Sequence, residues 1–213
     1  MKRILCSVVL ILLLAAVCAQ ADTIFDSGSI TFSATGTQFG RISRDGNASN
    51  WGEAKDFPGV TGAPAERGYE LFTIDVGIYP YIQISMDDPD AALFDAAYEI
   101  AFSPVNSAPN YGLDVNYLGD PGTSEPFGNP SFFQIVVTPG STIYVTVNEI
   151  VPGGGDGEPF QLLVEGFCDV DFDGATNGAC PAATTPEPGS VALIGTGLLL
   201  LGSVRRYLSV EQK

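Results

Sequence analysis

The sequence predicts an all-β body, folded as an antiparallel β-sandwich, between two apolar ends. Apolar and polar residues alternate in eight short stretches, and 25 glycines and 15 prolines punctuate the 213-residue chain. No helical spacing of apolar residues competes with this pattern in the body. Alternate residues of a strand point to opposite faces, so each stretch offers one face to a core and one to water. The stretches are 30–34, 72–76, 82–86, 98–102, 113–117, 133–137, 143–147 and 160–164.

The amino-terminal end is typical of a Sec-type signal peptide. A basic start precedes an apolar run over residues 4–17, and Ala19 and Ala21 occupy the small-x-small positions of a cleavage site. We therefore expect signal peptidase to remove residues 1–21 and the mature chain to begin at Asp22. A permanent amino-terminal membrane helix is the alternative.

The charge and the missing histidine exclude several function classes. The net charge is −16, and the chain contains no histidine. An acidic surface repels phosphate backbones, so no nucleic-acid partner is expected. Without imidazole, neither a Ser-His-Asp triad nor a His-ligated zinc site can form.

Within the body, residues 22–167, the stretches 131–137 and 142–147 flank a Pro-Gly pair, which predicts a hairpin with a tight turn. Residues 69–74, 138–147 and 158–164 resemble, in that order, the opening strand, the hairpin and the closing strand of the bacterial pre-peptidase C-terminal (PPC-like) domain. The resemblance covers about 39–166. It implies a jelly-roll-like sandwich without catalytic residues of its own.

The linker, residues 168–185, carries carboxylates at calcium-loop spacing. Carboxylates on alternate positions of a tight loop converge on one hard cation, so calcium is the candidate cofactor. The twelfth position is a cysteine rather than glutamate, and a solvated acidic linker is the alternative. Two cysteines bracket the loop, and an oxidising compartment favours their pairing. The predicted ligands are Asp169, Asp171, Asp173 and Asn177, and the predicted disulfide joins Cys168 to Cys180.

In the carboxyl-terminal segment, residues 186–213, a Pro-Glu-Pro triplet leads into an apolar run over 191–204, and an arginine pair follows. These features in this order resemble the PEP-CTERM sorting signal of exosortase substrates. As a transmembrane helix the run reaches about 22 Å, short of a hydrocarbon core of about 30 Å, which suits temporary retention. A plain anchor helix is the alternative. The resemblance implies exosortase recognition at Pro186, Glu187 and Pro188, with Arg205 and Arg206 on the cytoplasmic side.

Together these features predict a non-enzymatic protein that is exported through Sec, held in the membrane as a precursor and then sorted. Its destination is the cell surface or extracellular matrix, where exopolysaccharide or another envelope component is the expected partner. Two alternatives stay open. One is a polysaccharide hydrolase that uses Asp87, Asp88 and Asp90, and the other is a carbohydrate-binding module that stacks sugars on Trp51.

Overall fold

The computed structural model describes residues 21–124 and 131–168, and both ranges belong to one compact unit, Met1–Cys180. Within the described residues, ten β-strands form two antiparallel sheets of five strands each, packed as a sandwich. The predicted all-β antiparallel sandwich is therefore confirmed. In this part of the chain no helix is long and apolar enough to cross a membrane. The two predicted flanking helices lie outside it.

The first sheet joins the two ends of the body. Its strands are β1 (Asp22–Asp26), β2 (Ile30–Thr31), β5 (Tyr81–Asp87), β8 (Ser131–Val136) and β10 (Pro159–Phe167). They lie in the order β1-β10-β5-β8, and β2 pairs with the start of β10. The first strand of the body is therefore bonded to the last.

The second sheet is formed by the strands between these. They are β3 (Gly36–Ile42), β4 (Val60–Asp75), β6 (Leu93–Glu99), β7 (Tyr117–Gly119) and β9 (Thr142–Glu149), in the order β3-β4-β9-β6-β7. The 16-residue β4 pairs with β3 along its first part and with β9 along its second part. One long strand thus serves two neighbours in succession.

An inner core fills the space between the sheets. In β5, Ile82, Ile84 and Met86 are buried, and the residues between them are partly exposed. Strands β8, β9 and β10 bury alternate apolar residues against the same core. Each such side chain contributes about 1.5–3 kcal/mol on burial. Strands cover the predicted stretches 72–76, 82–86, 133–137, 143–147 and 160–164 to within one residue.

A second apolar cluster, the outer cluster, covers the outward face of the second sheet. Its buried members come from β6 and from the connecting segment 100–116, with one residue from β3, and the partly buried Phe57 of the connecting segment 43–59 packs against them. Strand β6 contributes to both clusters, so six consecutive residues are buried. The buried members of the outer cluster are Ile42, Phe94, Ala96, Tyr98, Phe102 and Leu113.

Several predicted strands are wrong in extent. The stretch 98–102 is not one strand, because β6 ends at Glu99 and Ile100 turns into the left-handed region with φ 64°. Most of 113–117 forms turns, and of the stretch 30–34 only two residues belong to β2. Phe102 and Leu113 are nevertheless buried, since both pack as loop residues in the outer cluster. Strands β1 and β3, the first part of β4 and most of β6 were not predicted.

The predicted hairpin around residues 138–141 is also wrong. The turn itself is present, with Gly140 at φ 80° and the Ser141 N–H donating to the Thr138 carbonyl at 3.0 Å. However, β8 pairs with β5 and β9 pairs with β4 and β6, so the turn carries the chain from one sheet to the other. The Gly140 N–H donates to the Gly77 carbonyl at 2.5 Å, which joins this crossing to the one from β4 to β5.

Candidate functional site

Most of the predicted site residues lie outside the described residues, and their roles stay predictions. Ala21 is the first described residue, and β1 begins at Asp22, directly after the predicted cleavage site. Cys168 is the last described residue, and Asp22 pairs with Gly166, so the start of β1 and the end of β10 lie side by side. Outside the described ranges are Ala19, Asp169, Asp171, Asp173, Asn177, Cys180, Pro186, Glu187, Pro188, Arg205 and Arg206.

The acidic cluster at Asp87, Asp88 and Asp90 is built into the turn between β5 and β6. The Leu93 N–H donates to Asp88 Oδ2 at 2.7 Å, and the Ala91 N–H donates to the Asp88 carbonyl at 3.1 Å. Burial raises the pKa of Asp88, against the opposing effect of hydrogen bonds from the turn backbone. This geometry makes Asp88 a cap of the turn.

A further carboxyl beside this turn, Glu158, was missed from the sequence. A hydrogen bond with Asp90 raises the pKa of Glu158, because a hydrogen bond between two carboxyls favours the protonated form. The fold brings them together across a separation that no sequence spacing indicates. The adjacent hollow holds about 130 Å³ and is lined in part by Asp87 and Gln161. Small-molecule sites usually hold roughly 300–1,000 Å³.

Trp51 is part of the packing at the end of the first sheet. Its indole Nε1–H donates to the Ile82 carbonyl at 3.1 Å. Its ring lies edge-on against Phe167, with centroids 5.1 Å apart, and against Tyr81, with centroids 6.0 Å apart. These contacts hold the 43–59 segment on the sheet, so the ring is not a free stacking platform.

A buried polar network lies where the 43–59 segment meets the end of β7. At its centre, Lys55 Nζ donates to Asp120 Oδ1 at 2.7 Å and to Asp45 Oδ1 at 2.9 Å. The same ammonium donates to the Asn47 carbonyl at 2.6 Å. The Lys55 side chain is 8% exposed, that of Asp120 is 0% exposed and that of Asp45 is 34% exposed. One ammonium group therefore binds a buried carboxyl and a partly exposed one.

Every polar group of Asp120 has a partner. The Tyr117 hydroxyl donates to Asp120 Oδ2, and the Gly122 N–H donates to Oδ1 at 2.5 Å. On the backbone side, the Asp120 N–H donates to Ser49 Oγ at 2.9 Å, and Ser49 Oγ donates to the Asp120 carbonyl at 3.2 Å. The carboxyl group is consequently fixed in both position and orientation.

Two glycines make this close approach of segments feasible. A Cβ at Gly119 would overlap the Ser49 side chain, and one at Gly122 would overlap the backbone of Asn47. Gly122 also has φ 71°, which side-chain-bearing residues rarely adopt. The 43–59 segment can therefore lie directly against residues 119–122.

The two carboxyls that share Lys55 have pKa values shifted in opposite directions. Burial raises the pKa of Asp120, and the hydrogen bonds from Lys55 and Tyr117 only partly oppose it. Burial acts on Asp45 in the same direction, but hydrogen bonds from Lys55 and the Asn47 N–H together lower the pKa of Asp45. Asp45 is thus held as a carboxylate, whereas Asp120 is drawn toward the neutral acid.

A third acid, Asp95, lies in the inner core. It shares a face of β6 with Leu93 and Ala97, and neither of its carboxyl oxygens has a hydrogen-bond partner. Burial raises the pKa of Asp95 to about 8, and the charges of Asp120 and Asp88 act in the same direction. At neutral pH the side chain is therefore mainly the uncharged acid.

No protein-family model, curated protein sequence or solved structure matches this chain. Within residues 21–124 and 131–168, no group of three or more metal-ligating side chains could hold a metal ion. The roles of the network residues are therefore inferred from their geometry. One sequence signal could have pointed to the network, since Lys55 is the only lysine between Lys2 and Lys213.

Proposed function

We propose that the chain is a non-enzymatic exported protein that an exosortase sorts to the cell envelope, extracellular matrix or exopolysaccharide. The observation that carries this proposal is an order of features near the carboxyl terminus: the Pro186-Glu187-Pro188 triplet, the apolar run 191–204 and the Arg205-Arg206 pair. The signal peptide at the other end supplies export through Sec. The apolar run holds the precursor in the membrane until cleavage near the triplet separates the body from it.

For the body we propose a PPC-like, jelly-roll-like module that binds or supports envelope components. The segments that carry this resemblance fall on or beside strands: 69–74 lies in β4, 138–147 contains the turn and most of β9, and 158–164 contains the start of β10. The two-sheet sandwich is compatible with such a module. The side chains behind the two alternatives, Asp88 and Trp51, are both engaged in holding the fold together.

The sorting proposal is tested by expressing the full chain in a bacterial host that carries an exosortase. We expect mass spectrometry of the culture supernatant to find a body that lacks 191–213. In Glu187→Ala the carboxyl terminus should stay intact and in the membrane fraction, whereas Glu53→Ala, an exposed acid of the body, should be processed normally. An intact carboxyl terminus in every fraction of the wild type would contradict the proposal.

Within the same proposal, the linker is a calcium loop closed by a disulfide from Cys168 to Cys180. The disulfide restricts the conformations of the loop and brings the carboxylates together before calcium binds. Calorimetric titration of the oxidised full chain with calcium chloride should show binding that Asp171→Asn weakens. The matched control is Asp75→Asn, on β4, which should bind as the wild type does. If calcium at millimolar concentration produces no heat of binding, the proposed calcium loop is wrong.

A further inference from the structure

The network around Lys55 holds an amine and a carboxyl in direct contact at a buried position. Lys55 Nζ lies 2.7 Å from Asp120 Oδ1, and both side chains are withdrawn from water. We propose that Lys55 and Asp120 are joined by an intramolecular isopeptide bond between Nζ and Cγ. The bond links the 43–59 segment covalently to the residues that follow β7.

The amine is aimed at Asp120 by fixed contacts. The Asn47 carbonyl and Asp45 Oδ1 also accept hydrogen bonds from Nζ, at 2.6 and 2.9 Å. Such positioning removes the entropic cost of bringing amine and carboxyl together, which is one obstacle to condensation in solution. The reacting groups are thus already in contact in the folded chain.

The carboxyl is surrounded by donors that stabilise the intermediate. The Gly122 N–H donates to Oδ1 at 2.5 Å, and the Tyr117 hydroxyl donates to Oδ2. When an amine adds to Cγ, negative charge develops on these oxygens. Prepositioned donors in a water-poor site lower the free energy of that charge.

The reaction needs no further reagent, because its atoms balance within the pair. One proton passes from the Lys55 ammonium to the Asp120 carboxylate, which gives a neutral amine and a neutral acid. The nitrogen lone pair then forms the Nζ–Cγ bond, and one Cγ–O bond breaks. The departing hydroxyl takes a second proton from the nitrogen and leaves as water. Ammonium and carboxylate have become an amide and one water molecule.

Asp120 reacts rather than Asp45 because the two carboxyls differ in burial and in the direction of their pKa shifts. The side chain of Asp120 is 0% exposed and that of Asp45 is 34% exposed, so only condensation at Asp120 takes place away from water. Burial also raises the pKa of Asp120, and the neutral acid is the better electrophile. Asp45, held as a carboxylate, orients the amine.

The deciding experiment is a peptide map of the purified full chain under reducing, denaturing conditions. We expect one branched peptide that contains both Lys55 and Asp120, with a mass lower by one water than the sum of the two linear peptides. The branch, and not the mass loss alone, identifies the bond. A succinimide formed at an Asp-Gly sequence would also lower the mass by one water, but it would not join two peptides. Separate linear peptides of unmodified mass, from folded protein, would overturn the proposal.

Two variants assign the bond. Lys55→Arg keeps the cation but cannot form this amide, and Glu53→Gln changes an exposed acid of the same segment that takes no part in the network. We expect the branched peptide to be absent from Lys55→Arg and present in Glu53→Gln. A wild-type branch that joins Lys55 to Asp45 instead would also overturn the assignment. Because the wild-type map decides the question, the result does not depend on whether a variant folds.

Discussion

The two sheets differ in what covers their outward faces. In the first sheet this face is open, and Gln134, Gln83 and Glu165 form a hydrogen-bonded row across β8, β5 and β10. In the second sheet it is covered by the outer cluster and the segments that carry it. Period-two alternation therefore indicates a strand with one solvent-exposed face. Where both faces are buried, as in β6, the alternation disappears.

The largest test of this contrast compares two phenylalanines on outward faces. Phe94 is fully buried in the outer cluster, whereas Phe132 of β8 is 52% exposed. We expect Phe94→Ala to lower the free energy of unfolding by about 3–5 kcal/mol, because it leaves a cavity. Phe132→Ala should change it by about 0.5 kcal/mol or less. Urea unfolding measures both changes. A loss of about 0.5 kcal/mol or less for Phe94→Ala as well would show that the outer cluster adds little stability.

A second test uses Asp95, the acid between the sheets. The folded-state pKa of about 8 lies above the ordinary value of 3.8, so between these values the unfolded chain has lost a proton that the folded chain keeps. The free energy of unfolding should therefore fall as pH rises through this range, by at most about 1.4 kcal/mol per pH unit.

Asp95→Asn should flatten this decline, since an amide does not titrate. Part of the slope should remain, because burial also raises the pKa of Asp88. Urea unfolding at a series of pH values measures the slope, with Asp75→Asn, on an exposed position, as the control. An unchanged slope in Asp95→Asn would place the titration elsewhere.

A third test compares two glutamates, one in each sheet. Glu149 of β9 is buried and accepts hydrogen bonds from the N–H groups of Gly68, Gly153 and Gly155, at 2.8, 3.1 and 3.3 Å. Glu149→Ala should cost about 2 kcal/mol, because it leaves buried donors unpaired. Glu165→Ala, on the open face of the first sheet, should cost about 0.5 kcal/mol or less. Thermal unfolding followed by circular dichroism ranks the two.

The smallest expected effect is at Trp51, which holds the 43–59 segment on the first sheet. Trp51→Phe keeps an aromatic ring but loses the hydrogen bond to Ile82, and we expect a loss of about 1 kcal/mol. In the wild type, the only tryptophan of the chain should show blue-shifted fluorescence. Emission at the wavelength of free tryptophan would mean that the ring is exposed after all.

The sequence was sufficient to predict the strands with one open face. In β5, β8 and β10 the buried residues are those that alternation selects. Strands β1 and β3 were missed because their stabilisation comes from partners far along the chain, β10 and β4. The hairpin was misjudged for a similar reason, since the Pro-Gly signal specifies a turn but not whether the next strand bonds to the same sheet or crosses to the other.

The candidate site was less accessible to sequence reasoning. Lys55 and Asp120 are 65 residues apart, and no local pattern relates them. What brings them together is the placement of Gly119 and Gly122, whose missing side chains admit the neighbouring backbone. Asp95 gave no warning either, because a carboxyl at an inward position looks in sequence like an ordinary polar residue of a strand.

The pairing of β1 with β10 also constrains how the body matures. β1 lies at the edge of its sheet, and its neighbour there is β10, the last of the described strands in the chain. A chain that leaves the ribosome or the translocation channel amino terminus first cannot complete this sheet until residue 167 has emerged. The first sheet therefore stays incomplete until the whole body has been synthesised, and under the proposed export through Sec it would close only after translocation.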